Sequence, residues 1–185
     1  VELAIGEIIM LMRSVFQRST ELHNGQWNKT AQGSKEVRGK KLGIVGYGNI
    51  GKQLSILAEA LGMHVFYYDI EDKLALGNAT KVSDLSELLA ISDVVTLHID
   101  DNPANKNFFG KKEIFQMKEG AVLVNLSRGF VVDILALKEA LESGKVSGAA
   151  VDVYPEEPAK NGEFITQLKG LNNVILTPHV GGSTE

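Results

Sequence analysis

The sequence contains no cysteine and no run of basic residues, and each absence excludes a class of protein. Without cysteine, none of the 185 residues can form a disulfide framework or a thiolate metal site. The formal net charge of −4, with no basic run, argues against a nucleic-acid groove. A reducing compartment is compatible with this composition, and we expect a cytoplasmic protein.

Proline and long apolar stretches are also scarce. With 4 prolines beside 19 glycines, the chain is neither collagen-like nor a Pro-rich disordered segment. The most apolar stretch, residues 1–12, contains Glu2 and Glu7, is too short to span a bilayer and lacks the marks of a signal peptide. We therefore expect no membrane association. What remains is a globular composition, 44% hydrophobic and 23% charged, that can bury one sizeable core.

Both ends of the sequence look interrupted. Residue 1 already lies in a helical pattern that continues to Phe16, and the last residues form a loop that reaches a helix cap at Ser183 or Thr184. We therefore expect a single domain over residues 1–185 that is a segment of a longer protein.

The first helix is apolar on more than one stripe, so it either lies inside this domain or packs against another subunit.

From Lys40 onward, short β-rich runs alternate with helical patterns. The runs are nearly continuous hydrophobes, which is typical of parallel strands covered on both faces. The predicted strands are 42–45, 65–68, 94–97, 122–125, 149–153 and 174–176. The predicted helices are one that begins at Asn49 and three more at 85–90, 111–117 and 134–142. This alternation predicts an α/β fold with a doubly wound parallel sheet.

The segment Gly-Tyr-Gly-Asn-Ile-Gly that starts at Gly46 matches the pattern G-x-G-x-x-G. The required context is present, because a predicted strand precedes it and an amphipathic helix follows it. Gly46 would permit the tight turn, Gly48 would let the backbone approach a pyrophosphate, and Gly51 would let the helix pack close to the strand. The N–H groups around Asn49 and Ile50 would point at the anion. The alternative is a plain strand-to-helix turn.

Asp69 ends the second predicted strand, close to the ~20-residue spacing expected for a ribose-binding carboxylate after the glycine pattern. A carboxylate would accept hydrogen bonds from the ribose hydroxyls and would repel a 2′-phosphate, and no arginine follows closely. NAD is therefore favoured over NADP as the cofactor. The alternative is a solvated Asp at a strand end, and dinucleotide binding by itself names no reaction.

Further polar residues follow predicted strands, at the edge where parallel sheets bind ligands. Arg128 could hold a carboxylate in two hydrogen bonds, or could pair with an acidic residue at the surface. Asp152 falls within an apolar run, where an unpaired carboxylate would be costly, so it suggests a partner such as a ligand amide. His179 could carry a proton or could be structural. His98 could line an adenine pocket.

Four ordered motifs together resemble the D-isomer-specific 2-hydroxyacid dehydrogenases. They are GYGNIG with Asp69, NLSRG at 125–129, DVYPEEP at 152–158 and PHVGG at 178–182. The resemblance covers essentially the whole chain and corresponds to the NAD-binding domain of that family. It implies a Rossmann-type fold, NAD as the cofactor and an oxidoreductase acting on a small molecule. Two further segments, 27–48 and 67–79, most resemble members that act on a phosphorylated 2-hydroxy acid.

The resemblance also implies a role for each matching residue. Arg128 would bind the substrate carboxylate, His179 would be the acid/base, and Glu157 would partner the histidine, whereas Glu156 would not. Asp152 would lie near the nicotinamide carboxamide. The residues implied to line the coenzyme are Asn49, Ile50, Leu126, Ser127, Arg128, Asp152, His179, Val180, Gly181 and Gly182. The first helix would pack between the subunits of a homo-oligomer.

The sequence departs from the family pattern at four places. Asp100 and Asp101 replace a more typical Pro-bearing turn, and Asn105 stands where Thr is common. We expect these changes to affect the adenine end and to leave the chemistry intact. Phe130 occupies a place near Arg128 where small or hydroxylated residues are usual.

Two other functions are open at this stage. One is a dehydrogenase of the same family with another substrate, such as D-lactate or glycerate. The other is an NAD-sensing module of the corepressor type, which also retains the arginine, glutamate and histidine. Phosphate recognition needs cations from outside this segment, so the segment does not decide between substrates.

Overall fold

A seven-stranded sheet organises the chain, and the computed structural model describes residues 1–185. The strands are β1 (Lys41–Val45), β2 (His64–Tyr68), β3 (Thr80–Lys81), β4 (Val94–Leu97), β5 (Ala121–Asn125), β6 (Val146–Val151) and β7 (Val174–Leu176). The α-helices are α1 (Glu2–Met12), α2 (Val15–His23), α3 (Asn49–Ala60), α4 (Leu85–Ile91), α5 (Lys111–Gln116) and α6 (Ile134–Glu142). Single 3₁₀ turns lie at Pro103–Asn105 and Gly129–Val131.

The strand order is β3-β2-β1-β4-β5-β6-β7, and every pair is parallel. The chain therefore builds outward from β1 on one side and then crosses to β4 on the other. At that change of direction a crevice opens at the carboxyl ends of β1 and β4, which is where ligands of such sheets bind. The doubly wound parallel α/β fold predicted from the sequence is confirmed.

Helices cover both faces of the sheet. Residues of α4, α5 and α6 pack on one face, and residues of α1 and α3 pack on the other. The buried positions of α6 include Leu137, Ala140 and Leu141, at the three- and four-residue spacing of one helix face. Truncation of a fully buried leucine such as Leu137 to alanine should cost about 2–5 kcal/mol. This two-sided packing holds the strand ends that carry the candidate site.

The N-terminal helix differs from the sequence prediction. Ser14 adopts the left-handed conformation with φ of 53°, which breaks the predicted single helix into α1 and α2. Helix α1 buries Ala4, Glu7, Ile8 and Met12 against the sheet of its own chain. The sequence left open whether this helix lies inside the domain or packs against another subunit. The face that carries these four residues lies inside the domain. Helix α2 has no buried residue.

Two strand assignments also need correction. The sixth strand spans Val146–Val151, so Asp152 lies just past its end and not within it. The sequence does not reveal β3, because this edge strand has only two residues, Thr80 and Lys81, and both are exposed.

Every helix is too short or too polar to cross a lipid bilayer.

Candidate active site

The glycine loop between β1 and α3 has the close contacts that its pattern predicts. Gly46 has φ of +91°, and a Cβ there would lie 2.4 Å from the carbonyl oxygen of His98. A Cβ on Gly51 would lie 2.5 Å from the carbonyl oxygen of Gly46, so only glycine lets the helix approach the turn. A Cβ on Gly48 would meet nothing within 4 Å, so this residue faces open space.

The first turn of α3 offers free hydrogen-bond donors beside that space. The backbone N–H groups of Asn49, Ile50 and Gly51 donate to no acceptor in the chain, and Gly48 at the N-cap has no side chain to cap them. A helix N-terminus with free N–H groups is a favourable site for a phosphate. The open space at Gly48 and these donors together fit a pyrophosphate.

Asp69 lies at the end of β2, on the same rim. Its Oδ2 accepts a hydrogen bond from the Tyr47 N–H at 2.7 Å, and its Oδ1 accepts one from the Glu71 N–H at 2.9 Å. Tyr47 itself is fully buried and stacks on Tyr67 with ring centroids 3.8 Å apart, which anchors the loop. The carboxylate is thus oriented by backbone donors and keeps lone pairs for ribose hydroxyls.

A cleft of about 290 Å³ adjoins Asp69 and the glycine loop. His98 lies in its wall, and the Nε2 of His98 is 2.9 Å from the Thr96 hydroxyl. Burial lowers the pKa of His98 to about 4, so its ring is neutral at physiological pH. Lys73, which no sequence motif singles out, also lines the cleft and pairs with Glu71.

A histidine–carboxylate pair lies beyond the ends of β6 and β7. The Nδ1 of His179 is 2.7 Å from Oε2 of Glu157, and Oε1 of Glu157 accepts a hydrogen bond from the Tyr154 N–H at 3.0 Å. Burial alone would raise the pKa of Glu157, but these hydrogen bonds and the nearby charge of Arg128 lower it below its ordinary value. The carboxylate is therefore ionised at neutral pH and can only accept. It follows that Nδ1 carries the hydrogen and that Nε2 is the free nitrogen.

Asp152 organises the backbone around His179. Its Oδ1 accepts hydrogen bonds from the Thr177 hydroxyl at 2.6 Å and the Val180 N–H at 2.9 Å, and its Oδ2 accepts one from the Gly181 N–H at 2.8 Å. The Asp152 carbonyl oxygen accepts from the His179 N–H at 2.8 Å. The partner that the sequence suggested for this buried carboxylate is present, and it comes from donors within the chain, which offset the cost of burial without a ligand amide.

Arg128 follows β5 and is about half exposed. Its Nη1 donates to the Ser127 carbonyl at 2.8 Å, and its Nε lies 3.5 Å from Oδ2 of Asp101. The Asn125 side chain holds the turn by bonding the Ser127 N–H, the Ser127 hydroxyl and the Arg128 carbonyl. The expectation that Asp100 and Asp101 bear only on the adenine end is wrong for Asp101, because its carboxylate pairs with Arg128.

Gly129 joins the Arg128 turn to the loop that carries Glu157. A Cβ on Gly129 would lie 1.9 Å from the carbonyl carbon of Tyr154, so the two backbones touch at this point. The sequence gives no sign of this approach between Gly129 and Tyr154, because a contact between residues 25 positions apart leaves no local pattern. The charge of Arg128 acts on Glu157 as a result of this proximity. The structure thus brings Arg128, Glu157 and His179 to one edge of the sheet.

The remaining predicted residues border the same edge. Ser127 is buried, Leu126 is partly buried, and Val180 is 37% exposed. A Cβ on Gly181 would lie 2.9 Å from Oδ2 of Asp152, whereas a Cβ on Gly182 would meet nothing within 4 Å.

Comparison with known proteins identifies this arrangement. The sequence profile described as "D-isomer specific 2-hydroxyacid dehydrogenase, NAD binding domain" matches residues 5–181. The chain belongs to this family. The 2-hydroxyacid dehydrogenase domain described above therefore has NAD as its cofactor, in agreement with the open, donor-lined space at Gly48.

Two curated relatives are similar over almost all of the chain. D-3-phosphoglycerate dehydrogenase of Haemophilus influenzae is 60% identical over 184 residues, which are 99% of this chain and 45% of that protein. D-3-phosphoglycerate dehydrogenase 2 of Saccharomyces cerevisiae is 54% identical over 193 aligned positions, which cover 100% of this chain and 41% of that protein. The chain thus spans less than half the length of these relatives.

A solved structure shows the same fold. The D-isomer-specific 2-hydroxyacid dehydrogenase of Lactobacillus delbrueckii ssp. bulgaricus, in its NAD-complexed form, superposes with a TM-score of 0.89 at 28% identity. The superposition covers 99% of this chain and 59% of that one. The Rossmann-type architecture inferred from the resemblance is therefore confirmed.

Proposed function

We propose that the protein that carries this domain oxidises D-3-phosphoglycerate to 3-phosphohydroxypyruvate with NAD, the first step of L-serine biosynthesis. The observation that carries the proposal is the His179–Glu157 pair, at 2.7 Å, on the same sheet edge as Arg128. The curated relatives named D-3-phosphoglycerate dehydrogenase, at 54–60% identity, support this substrate.

NAD, when bound, supplies the acceptor for the hydride that leaves C2 of the substrate. His179 takes the hydroxyl proton on Nε2, because Nδ1 already donates to Glu157. Glu157 holds the ring in this tautomer and stabilises the imidazolium that forms. Arg128 binds the substrate carboxylate and polarises the emerging carbonyl, exchanging its contact with Asp101 for one with the substrate.

The coenzyme contacts follow from the same edge. The free N–H groups of Asn49 and Ile50 bind the pyrophosphate, and Asp69 accepts from the adenosine ribose. Leu126, Ser127, Val180, Gly181 and Gly182 form the wall of the nicotinamide half, with Asp152 near the carboxamide. Cations outside this domain bind the substrate phosphate, since Arg128 is engaged with the carboxylate.

The proposal includes a cytoplasmic homo-oligomer. Because α1 buries only one of its apolar stripes in its own chain, the subunit contact would use this N-terminal helical segment, together with the apolar residues that α2 leaves exposed. These are Val15, Phe16 and Leu22. Size-exclusion chromatography with light scattering tests this contact: Phe16→Asp together with Leu22→Asp should yield smaller particles than the wild type.

The experiment that tests the reaction is NAD reduction by the full-length protein with 3-phosphoglycerate, D-lactate and D-glycerate in parallel. Turnover should be fastest with 3-phosphoglycerate. A preference for D-lactate would favour the second candidate function, a dehydrogenase of the same family with another substrate. The similarity to the D-lactate dehydrogenase of Treponema pallidum, with a TM-score of 0.88 and 34% identity, supports this candidate. NAD binding without turnover of any of the three would instead favour a coenzyme-sensing interaction module.

A further inference from the structure

A carboxyl group without any hydrogen-bond partner is buried on α1. Glu7 is 0% exposed, and neither of its two carboxyl oxygens has a partner. They are the only buried side-chain polar atoms of residues 1–185 in this condition. An unpaired carboxylate is costly in such surroundings, so the neutral acid is the favoured form.

Glu7 lies next to the residues that hold His179 in place. Thr177 and Asp152 both act on its carboxyl group. The Thr177 hydroxyl donates to Asp152, which in turn accepts the N–H groups of Val180 and Gly181. Asp152 therefore accepts three hydrogen bonds, whereas the carboxyl group of Glu7 accepts none. The interior thus holds two neighbouring acids, of which only Asp152 has its hydrogen-bonding capacity met within the chain.

The titratable groups around Glu7 are all acidic. Burial first, and the charge of Asp152 second, raise the pKa of Glu7 to about 7, while the nearby Thr177 hydroxyl, which forms no hydrogen bond with Glu7, opposes the rise. Tyr154 faces the same interior, and burial, followed by the charges of Asp152, Glu157 and Glu7, raises its pKa to about 12. The other acidic residue of α1, Glu2, is exposed. No cation is among the groups that act on Glu7.

We propose that Glu7 holds a proton in the coenzyme-free protein and gives it up to solvent when NAD⁺ binds beside Asp152. The second part of the proposal, the release of the proton on binding, rests on the proposed function, in which the nicotinamide carboxamide lies near Asp152. The O–H bond of Glu7 breaks, its electron pair stays on the carboxylate, and no other bond changes. The new negative charge is stabilised by the cationic ring of NAD⁺, and the neutral ring of NADH gives no such stabilisation.

The first test is the pH dependence of unfolding of the coenzyme-free, full-length protein. Because the pKa of Glu7 is raised from 4.5 to about 7, its contribution to stability is complete below pH 4.5 and is lost as the pH rises through about 7. Glu7→Gln does not titrate, so its Tm relative to the wild type should rise by several degrees between those pH values. Glu2→Gln is the matched control and should show no such rise.

A pH-independent difference between Glu7→Gln and the wild type would overturn the first part of the proposal. If Glu7→Gln does not fold, the ¹³C shift of the Glu7 carboxyl in the wild type replaces the measurement. A midpoint near 7 supports the proposal, and a midpoint near the ordinary 4.5 overturns it.

The second test is the affinity for NAD⁺ and for NADH on either side of neutral pH. Wild-type affinity for NAD⁺ should rise with pH by up to about tenfold, which corresponds to a lowering of one pKa unit on binding. Affinity for NADH should stay constant, and Glu7→Gln should lose the rise for NAD⁺. The same rise in Glu7→Gln and in the wild type, or a rise in neither, would overturn the second part.

These outcomes are separable from the proposed reaction. If 3-phosphoglycerate is not turned over but the Glu7-dependent rise is present, the reaction assignment fails and this inference stands. If turnover is normal and the rise is absent, the reaction assignment stands and this inference fails.

Discussion

The two halves of the coenzyme edge are built in different ways. The adenosine half is local in sequence, because the glycine loop is contiguous and Asp69 follows at the end of the next strand. Its contacts come mainly from the backbone. The catalytic half gathers Arg128, Glu157 and His179 from beyond three different strands and depends on their side chains. Backbone donors tolerate side-chain substitutions away from Gly46 and Gly51, whereas convergent side chains depend on the packing of several loops.

This difference predicts that single substitutions damage the catalytic half more than the adenosine half. We expect Glu157→Gln in the full-length protein to lower kcat by roughly 10²–10⁴-fold, because His179 loses the anion that orients its ring. The acid limb of the pH–rate profile for the oxidation should move to lower pH. Affinity for NAD should change little. Steady-state kinetics over a range of pH checks this, with the exposed Glu156→Gln as control, and an unchanged profile would remove Glu157 from the assignment.

Arg128→Lys tests the same half through the substrate. A lysine cannot reproduce the two-pronged contact of the guanidinium with a carboxylate, so kcat/KM should fall by about 10–100-fold. The Kd for NAD, measured by calorimetry, should stay within about twofold of the wild-type value. An equal loss of NAD affinity would mean that Arg128 serves the coenzyme.

Asp69→Asn tests the adenosine half. The amide of Asn keeps an acceptor for the Tyr47 N–H, but the substitution removes the negative charge that repels the 2′-phosphate of NADP. Lys73, which lines the cleft, can then approach this phosphate. The ratio of NADP affinity to NAD affinity should rise by about tenfold, with little loss of folding stability. Asp72→Asn, an exposed change nearby, should leave the ratio unaltered. A constant ratio in Asp69→Asn would refute the assignment of Asp69 to the ribose.

Asp101→Asn should have the smallest effect. The pair that Asp101 forms with Arg128 is largely exposed and spans 3.5 Å, so its removal frees Arg128 for the substrate at little cost. We expect KM for the 2-hydroxy acid to fall by up to about fivefold while kcat is unchanged. Asp100→Asn, whose carboxylate contacts Asn105 and not Arg128, is the matched control. An increase in KM would show that Asp101 helps to orient Arg128.

Prediction from the sequence succeeded for the fold and for most of the strand bounds, because these depend on local patterns. Continuous apolar runs located five of the seven strands to within one residue, and the glycine spacing located the turn before α3. It failed where a residue's environment depends on distant segments. The break at Ser14, the pairing of Asp101 with Arg128 and the partners of Asp152 are all contacts or conformations without a periodic signal.

The amino-acid sequence alone determined that this chain alternates strands and helices around a glycine turn that can receive a dinucleotide. Hydrophobic periodicity and the absence of a side chain at Gly46, Gly48 and Gly51 suffice for that, since both act over a few residues. Only the tertiary structure decided that Glu7, an unremarkable position in an apolar helix, is sealed beside Asp152 and Thr177. The charge state of a carboxyl group depends on which donors and charges surround it, and folding alone brings those together.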